Sequence, residues 1–154
     1  MDKAKASALI NDLKSKSALD PAATFRFVCD SLRDFHNYDW VGIYVLRKDK
    51  LVLDAYNGEE TEHGIITLGD GLCSMAIVQD AIINEKDVKS NGKYLACFPT
   101  TNSELVVPIR HDGKPVGEID IDSDKPGAFT KEDEEFVMQI GELIGEKVYS
   151  VYEP

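Results

Sequence analysis

The chain has 154 residues, enough for one domain with a hydrophobic core and too few for two. Its 28 acidic and 17 basic residues give a net charge of -11, which disfavours binding to nucleic-acid phosphates or to an anionic membrane surface. No apolar run approaches the roughly twenty residues of a membrane helix, and the charged N-terminus lacks an apolar signal core. The three cysteines form no C-x-x-C pair, which favours free thiols. We therefore expect a cytoplasmic protein with no nucleic-acid or membrane partner.

Two helices are predicted within residues 1–36. The first covers residues 2–15 and has Asp2 as its cap. The second begins at Asp20, an acidic cap followed by a proline at the first helical position. Cys29 lies on the apolar face of this second helix. We interpret it as a small buried side chain, because a cysteine among apolar neighbours is more often packed than reactive.

The next part of the chain, residues 37–123, is predicted to form the sheet and its connecting loops. Strands over 40–46 and 51–56 form a hairpin. Trp40 and Tyr44 share one face of the first strand, because successive side chains of a strand alternate between faces. The pattern leaves two interpretations open for this pair, core packing or the aromatic wall of a pocket.

Short elements follow the hairpin. Residues 65–68 and 81–84 are predicted strands, and a short helix is predicted from Ser74 onward. Cys73 would then lie at a helix N-terminus, where the helix dipole favours a thiolate. His63 ends a polar loop, and nothing near it has metal-ligand spacing, so neither a metal nor another cofactor is predicted.

Reactive side chains concentrate in residues 94–123. Cys97 lies in an irregular stretch before a predicted strand over 103–110, and a tight turn leads into a partner strand over 116–123. Glu104 opens the first of these two strands. A thiol and several carboxylates in one hairpin make this segment the candidate reaction centre.

The partner strand carries Glu118, Asp120 and Asp122 on one face, alternating with isoleucines on the other. These acids either line a ligand pocket or form the solvated face of an edge strand, and the pattern does not choose between the two. Glu104 would lie across the hairpin from them. Clustered carboxylates attract an ammonium group and raise one another's pKa, so one of them can act as an acid near neutral pH.

A final helix is predicted over 130–152, with Thr130 as its cap. Because hairpins dominate and helices sit at the chain ends, we predict an α+β domain with a mainly antiparallel sheet of five or six strands. The whole chain, 1–154, is expected to be one domain. Its thiols and acids suit thiol-based reduction, in which a nucleophilic thiol becomes a sulfenic acid and a second thiol condenses with it.

In its motifs the chain resembles the free methionine-R-sulfoxide reductases, which are single GAF domains. The matching segments run in order from about residue 37 onward: NYDWVGIY (37–44), GDGLC (69–73), EKDV (85–88), AC (96–97), NSELVVPI (102–109), VGEIDIDS (116–123) and FTKED (129–133). The resemblance implies a GAF fold. It also implies reduction of free L-methionine-(R)-sulfoxide to L-methionine, without a cofactor and with thioredoxin or a similar dithiol as the reductant.

The resemblance also assigns residues. Cys97 matches the cysteine that attacks the sulfoxide sulfur, and Cys73 matches a second cysteine that can form a disulfide with it. The substrate ammonium and the proton for the sulfoxide oxygen are assigned to three acids, Glu104, Asp120 and Asp122. The methyl end is enclosed by two aromatic residues, Trp40 and Tyr44. Family members often form homodimers, although no pattern in this sequence marks an interface.

Three positions depart from the family pattern. His63 stands where many members have a third cysteine, so recycling would use Cys73 or direct attack by the external reductant. Phe98 stands where aspartate is common, and Ser74 where glycine is common. Two other interpretations remain: a non-catalytic GAF module that binds a small ligand, and an interaction domain whose acids are a solvated edge.

Overall fold

The computed structural model describes residues 1–92 and 98–154. Within these residues the chain forms four α-helices, one short 3-10 helix and six strands. The helices are α1 (Lys3–Ser15), α2 (Pro21–Arg33), α3 (Gly71–Gln79) and α4 (Lys131–Val151), with the 3-10 helix at Val88–Ser90. The strands are β1 (Trp40–Arg47), β2 (Lys50–Asn57), β3 (Ile65–Thr67), β4 (Ile83–Glu85), β5 (Ser103–His111) and β6 (Lys114–Ser123).

The six strands form one sheet in the order β3-β2-β1-β6-β5-β4, and neighbouring strands are antiparallel. This confirms the predicted α+β architecture. The hairpins β1–β2 and β5–β6 lie side by side because β1 also pairs with β6. Strand β6 is therefore an inner strand, with β1 on one side and β5 on the other.

The two faces of the sheet pack against different elements. One face forms the main hydrophobic core with α1, α2 and α4, and it includes Ile119 and Ile121 of β6. The other face is covered in part by α3 and forms a smaller cluster that includes Trp40, Tyr44 and Cys73. Because side chains alternate along β6, its isoleucines face the main core and its acids face the smaller cluster.

The predicted helix caps are present. Asp2 accepts a hydrogen bond from the backbone N–H of Lys5, and Asp20 accepts one from that of Ala23. At the start of α4, Thr130 and Asp133 form a reciprocal capping box. These bonds satisfy backbone groups that the helix itself leaves without partners, so each helix begins where its capping residue stands.

Helix α3 begins at Gly71, earlier than the predicted start at Ser74. Gly71 has a φ of 75°, a left-handed conformation that lets the helix start directly after the turn at Gly69. The Oγ atom of Ser74 accepts a hydrogen bond from the backbone N–H of Gly69 and holds this turn. Cys73 consequently lies inside the first turn of the helix. No helix in the described residues is long and apolar enough to cross a membrane.

Candidate active site

Strands β5 and β6 bring four carboxyl groups together on the face that α3 covers. Glu104 lies opposite Asp122 in the register of the two strands. Their exposed fractions are small: 5% for Glu104, 0% for Glu118, 2% for Asp120 and 3% for Asp122. Because these acids are buried on two inner strands, β5 and β6, the alternative of a solvated edge is wrong.

Cys73 reaches this carboxyl cluster from α3. Its Sγ atom lies 3.4 Å from Oδ2 of Asp120 and 4.0 Å from Oε2 of Glu104, and the residue is 6% exposed. The Cys73 sulfur, one oxygen of Glu104 and one oxygen of Asp120 all lie within 4.8 Å of one another. A helix, two strands and three side chains therefore converge on one point.

No described basic side chain lies within ion-pair distance of the four acids. Four carboxyl oxygens of this cluster are buried without a hydrogen-bond partner: both oxygens of Glu118, Oδ1 of Asp120 and Oδ1 of Asp122. A buried carboxylate without a partner is costly, so the cluster must hold protons or receive a cation.

Burial raises the pKa of all four acids. For Glu104 the charges of Asp120 and Asp122 raise the pKa further. At Asp120, hydrogen bonds from Glu104 and Cys73 oppose the effect of burial. Burial therefore favours the protonated forms of Glu104, Glu118 and Asp122, while Asp120 accepts hydrogen bonds from Glu104 and Cys73.

The pKa of Cys73 is also raised, first by burial and then by the charges of Asp120, Glu118 and Glu104. The prediction that the helix N-terminus favours a Cys73 thiolate is wrong, because burial and three acids outweigh the dipole. Metal binding by this thiol would require its deprotonation. Although the spacing of Cys73, Glu104 and Asp120 suits a metal ion, a neutral thiol between acids is better matched to an ammonium group.

Aromatic side chains border the carboxyl cluster. Trp40 and Tyr44 are 3% and 1% exposed, and the ring of Trp40 lies 6.0 Å from the rings of both Tyr56 and Phe98. The Nε1–H of Trp40 donates to the backbone oxygen of Glu59 at 2.9 Å. The two interpretations of Trp40 are therefore compatible, because it packs against its neighbours and also lines a cavity.

That cavity has a volume of about 220 Å³ and is bordered by Trp40, Phe98 and Asp122. At about 30 Å³ per water molecule, it corresponds to roughly seven waters, which is enough space for one small amino acid. Phe98, one of the departures from the family pattern, forms part of its wall. A second cavity of about 10 Å³ lies beside Cys73 and has room for about one water.

The two cysteines within the described residues, Cys29 and Cys73, lie in different environments. Cys29 is fully buried in the main core, as predicted, and burial raises its pKa to about 12. Cys73 lies in the carboxyl cluster. Cys97 lies outside the described residues, so its pairing with Cys73 stays a prediction.

Two charged residues at this site escaped the sequence analysis. Glu118 was placed on the acidic face but not among the site residues, although it is fully buried and influences Cys73. Arg33 was not singled out at all, yet it borders the 220 Å³ cavity. The available signal was a basic residue at the end of α2, shortly before the strand that carries Trp40.

A family model described as GAF domain matches residues 18–147 of this chain. The solved structure of a type II free methionine-R-sulfoxide reductase from Thermoplasma acidophilum is 51% identical, with a TM-score of 0.85, and the match covers 86% of this chain and 95% of that one. The chain belongs to the free methionine-R-sulfoxide reductase family of GAF domains. The predicted resemblance and its enzyme class are thereby confirmed.

Two curated relatives match at lower identity. GAF domain-containing protein A of Dictyostelium discoideum is 32% identical over 76% of this chain and 74% of its own length. The free methionine-R-sulfoxide reductase of Escherichia coli is 34% identical over 66% of this chain. The match spans 61% of the length of the Escherichia coli protein.

Proposed function

We propose that this protein reduces free L-methionine-(R)-sulfoxide to L-methionine. The observation that supports this most directly is the cluster of four buried carboxyl groups, which has no described basic partner and adjoins a cavity of about 220 Å³ with aromatic walls. Such a cluster favours a ligand that brings its own positive charge. A free amino acid does so through its ammonium group.

The ammonium group is assigned to Asp120 and Asp122. Asp122 borders the larger cavity and Asp120 the smaller one, so these two acids lie between the two spaces. A peptide-bound methionine sulfoxide has an amide instead of an ammonium at this position. It would leave buried acids without a counter-charge, which costs binding free energy and excludes peptides.

The chemical step is assigned to Cys97 and Glu104. The Cys97 thiolate attacks the sulfoxide sulfur, while an acid donates a proton to the sulfoxide oxygen. The oxygen passes to Cys97 as a sulfenic acid, and the substrate leaves as methionine with its sulfur reduced by two electrons. Glu104 is the proposed proton donor because its raised pKa keeps it protonated and Asp120 accepts its hydrogen bond. Asp122, whose pKa is also raised, is placed beside it as a second acid of the catalytic cluster.

Recycling is assigned to Cys73. Its thiol condenses with the Cys97 sulfenic acid, which forms the disulfide and releases water, and a thioredoxin-like dithiol then reduces the disulfide. Disulfide formation requires α-carbons within about 7 Å, so this proposal requires Cys97 to come within that distance of Cys73. Mass mapping after substrate addition without reductant should find residues 73 and 97 linked.

Turnover of three substrates with a dithiol reductant tests the function. We expect consumption of the free (R)-sulfoxide and none of the free (S)-sulfoxide or of a peptide-bound sulfoxide. The Cys97→Ser variant should be folded and inactive. A fully active Cys97→Ser protein would overturn the mechanism, and binding without turnover in the wild-type protein would favour the non-catalytic ligand-binding module.

A further inference from the structure

Arg33 is the last residue of α2 and borders the 220 Å³ cavity together with Trp40 and Asp122. Its Nε atom is buried and has no hydrogen-bond partner. Its guanidinium also has no carboxylate within ion-pair distance among the described residues. Because a buried donor without a partner costs free energy, this arginine is suited to an anionic group that enters from outside.

The charges around the cavity are unequal. Within the described parts of the chain, its lining contains one basic side chain, that of Arg33, against four acids: Asp39, Glu59, Asp122 and Asp124. Asp39 is already engaged, because its Oδ2 accepts hydrogen bonds from the backbone N–H of Asp124 at 2.8 Å and from Ser123 Oγ at 3.3 Å. Arg33 is thus the one cationic side chain among the described residues of this lining.

A free amino acid carries an ammonium and a carboxylate on the same carbon, so a site for it needs an acid and a base close together. The fork of an arginine matches a carboxylate, since two parallel N–H groups can donate to its two oxygens. We propose that Arg33 binds the α-carboxylate of the substrate, opposite the acids that hold the ammonium. This assignment rests on the proposed function and adds a second reason why a peptide is excluded.

The assignment separates two substrates that differ in a single group. Free methionine-(R)-sulfoxide carries the carboxylate, and its carboxamide keeps the ammonium but lacks the negative charge. In Arg33→Gln, we expect kcat/KM for the acid to fall about ten- to hundredfold through a higher KM, the size of one lost charge-assisted contact. The kcat/KM of Arg33→Gln for the carboxamide should stay within about twofold of the wild-type kcat/KM. Arg33→Lys, which keeps the charge but not the fork, should restore part of the activity on the acid.

Arg26→Gln is the matched control, because Arg26 lies on the same helix with an exposed side chain and does not border the cavity. It should leave both substrates unaffected. An equal loss for acid and carboxamide in Arg33→Gln, or no loss for either, would overturn the assignment. Thermal unfolding of each variant separates a local effect from a general loss of folding.

Ligand binding tests Arg33 independently of turnover. The chain has one tryptophan, Trp40, and it borders this cavity, so its fluorescence should report ligand entry. In a Cys97→Ser background, Arg33→Gln should weaken binding of methionine but not of methioninamide. If the wild-type protein were inactive, the proposed function would fail while this titration still decided the role of Arg33. Equal weakening of both ligands would refute the carboxylate contact.

Discussion

The Sγ atom of Cys73 lies 3.4 Å from Oδ2 of Asp120, so a thiol on a helix faces a carboxyl group in the middle of the sheet. This contact keeps the thiol neutral, because burial and the neighbouring carboxylates raise its pKa. In the reduced protein Cys73 is therefore a poor nucleophile. It becomes reactive only when the negative charge beside it is removed or compensated.

Asp120→Asn should make Cys73 more reactive. The substitution removes the nearest negative charge and offers an amide N–H to the sulfur, and both changes lower the thiol pKa. We expect the rate at which iodoacetamide alkylates Cys73 at pH 8 to increase about three- to tenfold. Mass spectrometry of each cysteine-containing peptide measures this rate. Asp124→Asn, which removes an exposed acid, should leave the rate unchanged. A slower or unchanged rate in Asp120→Asn would show that this carboxyl does not control the thiol.

Glu104 and Asp120 should respond differently to neutralisation. Glutamine has nearly the shape of the protonated Glu104 but cannot give up a proton, so Glu104→Gln should reduce kcat about a hundred- to thousandfold with little change in KM. Asp120→Asn removes a charge that binds the ammonium and should mainly raise KM. Steady-state kinetics on free methionine-(R)-sulfoxide distinguish the two patterns. If Glu104→Gln changed KM alone, the proton would have to come from Asp122 or from another group.

Glu118→Gln should stabilise the fold at neutral and alkaline pH. Burial raises the pKa of Glu118 well above its usual value, so the folded state keeps a proton that the unfolded chain loses. The contribution of this carboxyl to stability is fully present below its unfolded pKa of about 4.3 and is lost as the pH rises through the folded pKa. The variant should match wild type at pH 4 and exceed its free energy of unfolding by about 1–3 kcal/mol at pH 8.

Urea unfolding from pH 4 to pH 8 tests this dependence. Glu62→Gln, at an exposed position, provides the control and should follow the wild-type curve. Some pH dependence should persist in Glu118→Gln, because burial also raises the pKa of the remaining acids and of Cys73. A Glu118→Gln protein that is less stable at pH 8 than at pH 4 by the full wild-type difference would show that Glu118 is not protonated in the fold.

Local patterns were sufficient to predict several parts of this site. The alternation along β6 places Asp120 and Asp122 on one face. The tight turn alone would pair Glu104 with Ile121, and an irregularity between Ile109 and Arg110 shifts the register so that Glu104 lies opposite Asp122. Each of these features depends on residues close in sequence. The same holds for the caps of α2 and α4, whose side chains bond to backbone groups three residues away.

Other features depend on contacts between distant segments. Strand β6 is an inner strand because it pairs with β1 as well as with β5. In the pairing with β1, Trp40 lies beside Asp122. The pattern of β6 alone fits both an inner and an outer position. The local sequence around Cys73 predicts a thiolate at a helix N-terminus, while burial and the acids on two strands raise the pKa of this thiol. The role proposed for Arg33 depends on its position at a cavity, and the residues that line this cavity come from separate parts of the chain, within 33–40, 59, 98–101 and 122–124.

Gly42 sets the position of the Trp40 ring. A methyl group at residue 42 would overlap Cη2 of Trp40 and lie 2.6 Å from its Cζ3 and 3.0 Å from Cδ1 of Leu53. Gly42→Ala should therefore displace the indole ring from its place in the cavity wall. We expect KM for the free sulfoxide to rise about tenfold, the fluorescence maximum of Trp40 to shift, and the free energy of unfolding to fall by about 1–3 kcal/mol.

Gly141→Ala is the matched control for this substitution. A methyl group there would lie 3.5 Å from Cγ1 of Ile109, an ordinary contact, and alanine is favoured over glycine inside a helix such as α4 by about 1 kcal/mol. This variant should keep the wild-type KM and emission and be equally or more stable. If Gly42→Ala kept both the wild-type KM and the wild-type emission, Trp40 would not form the wall against which the substrate binds.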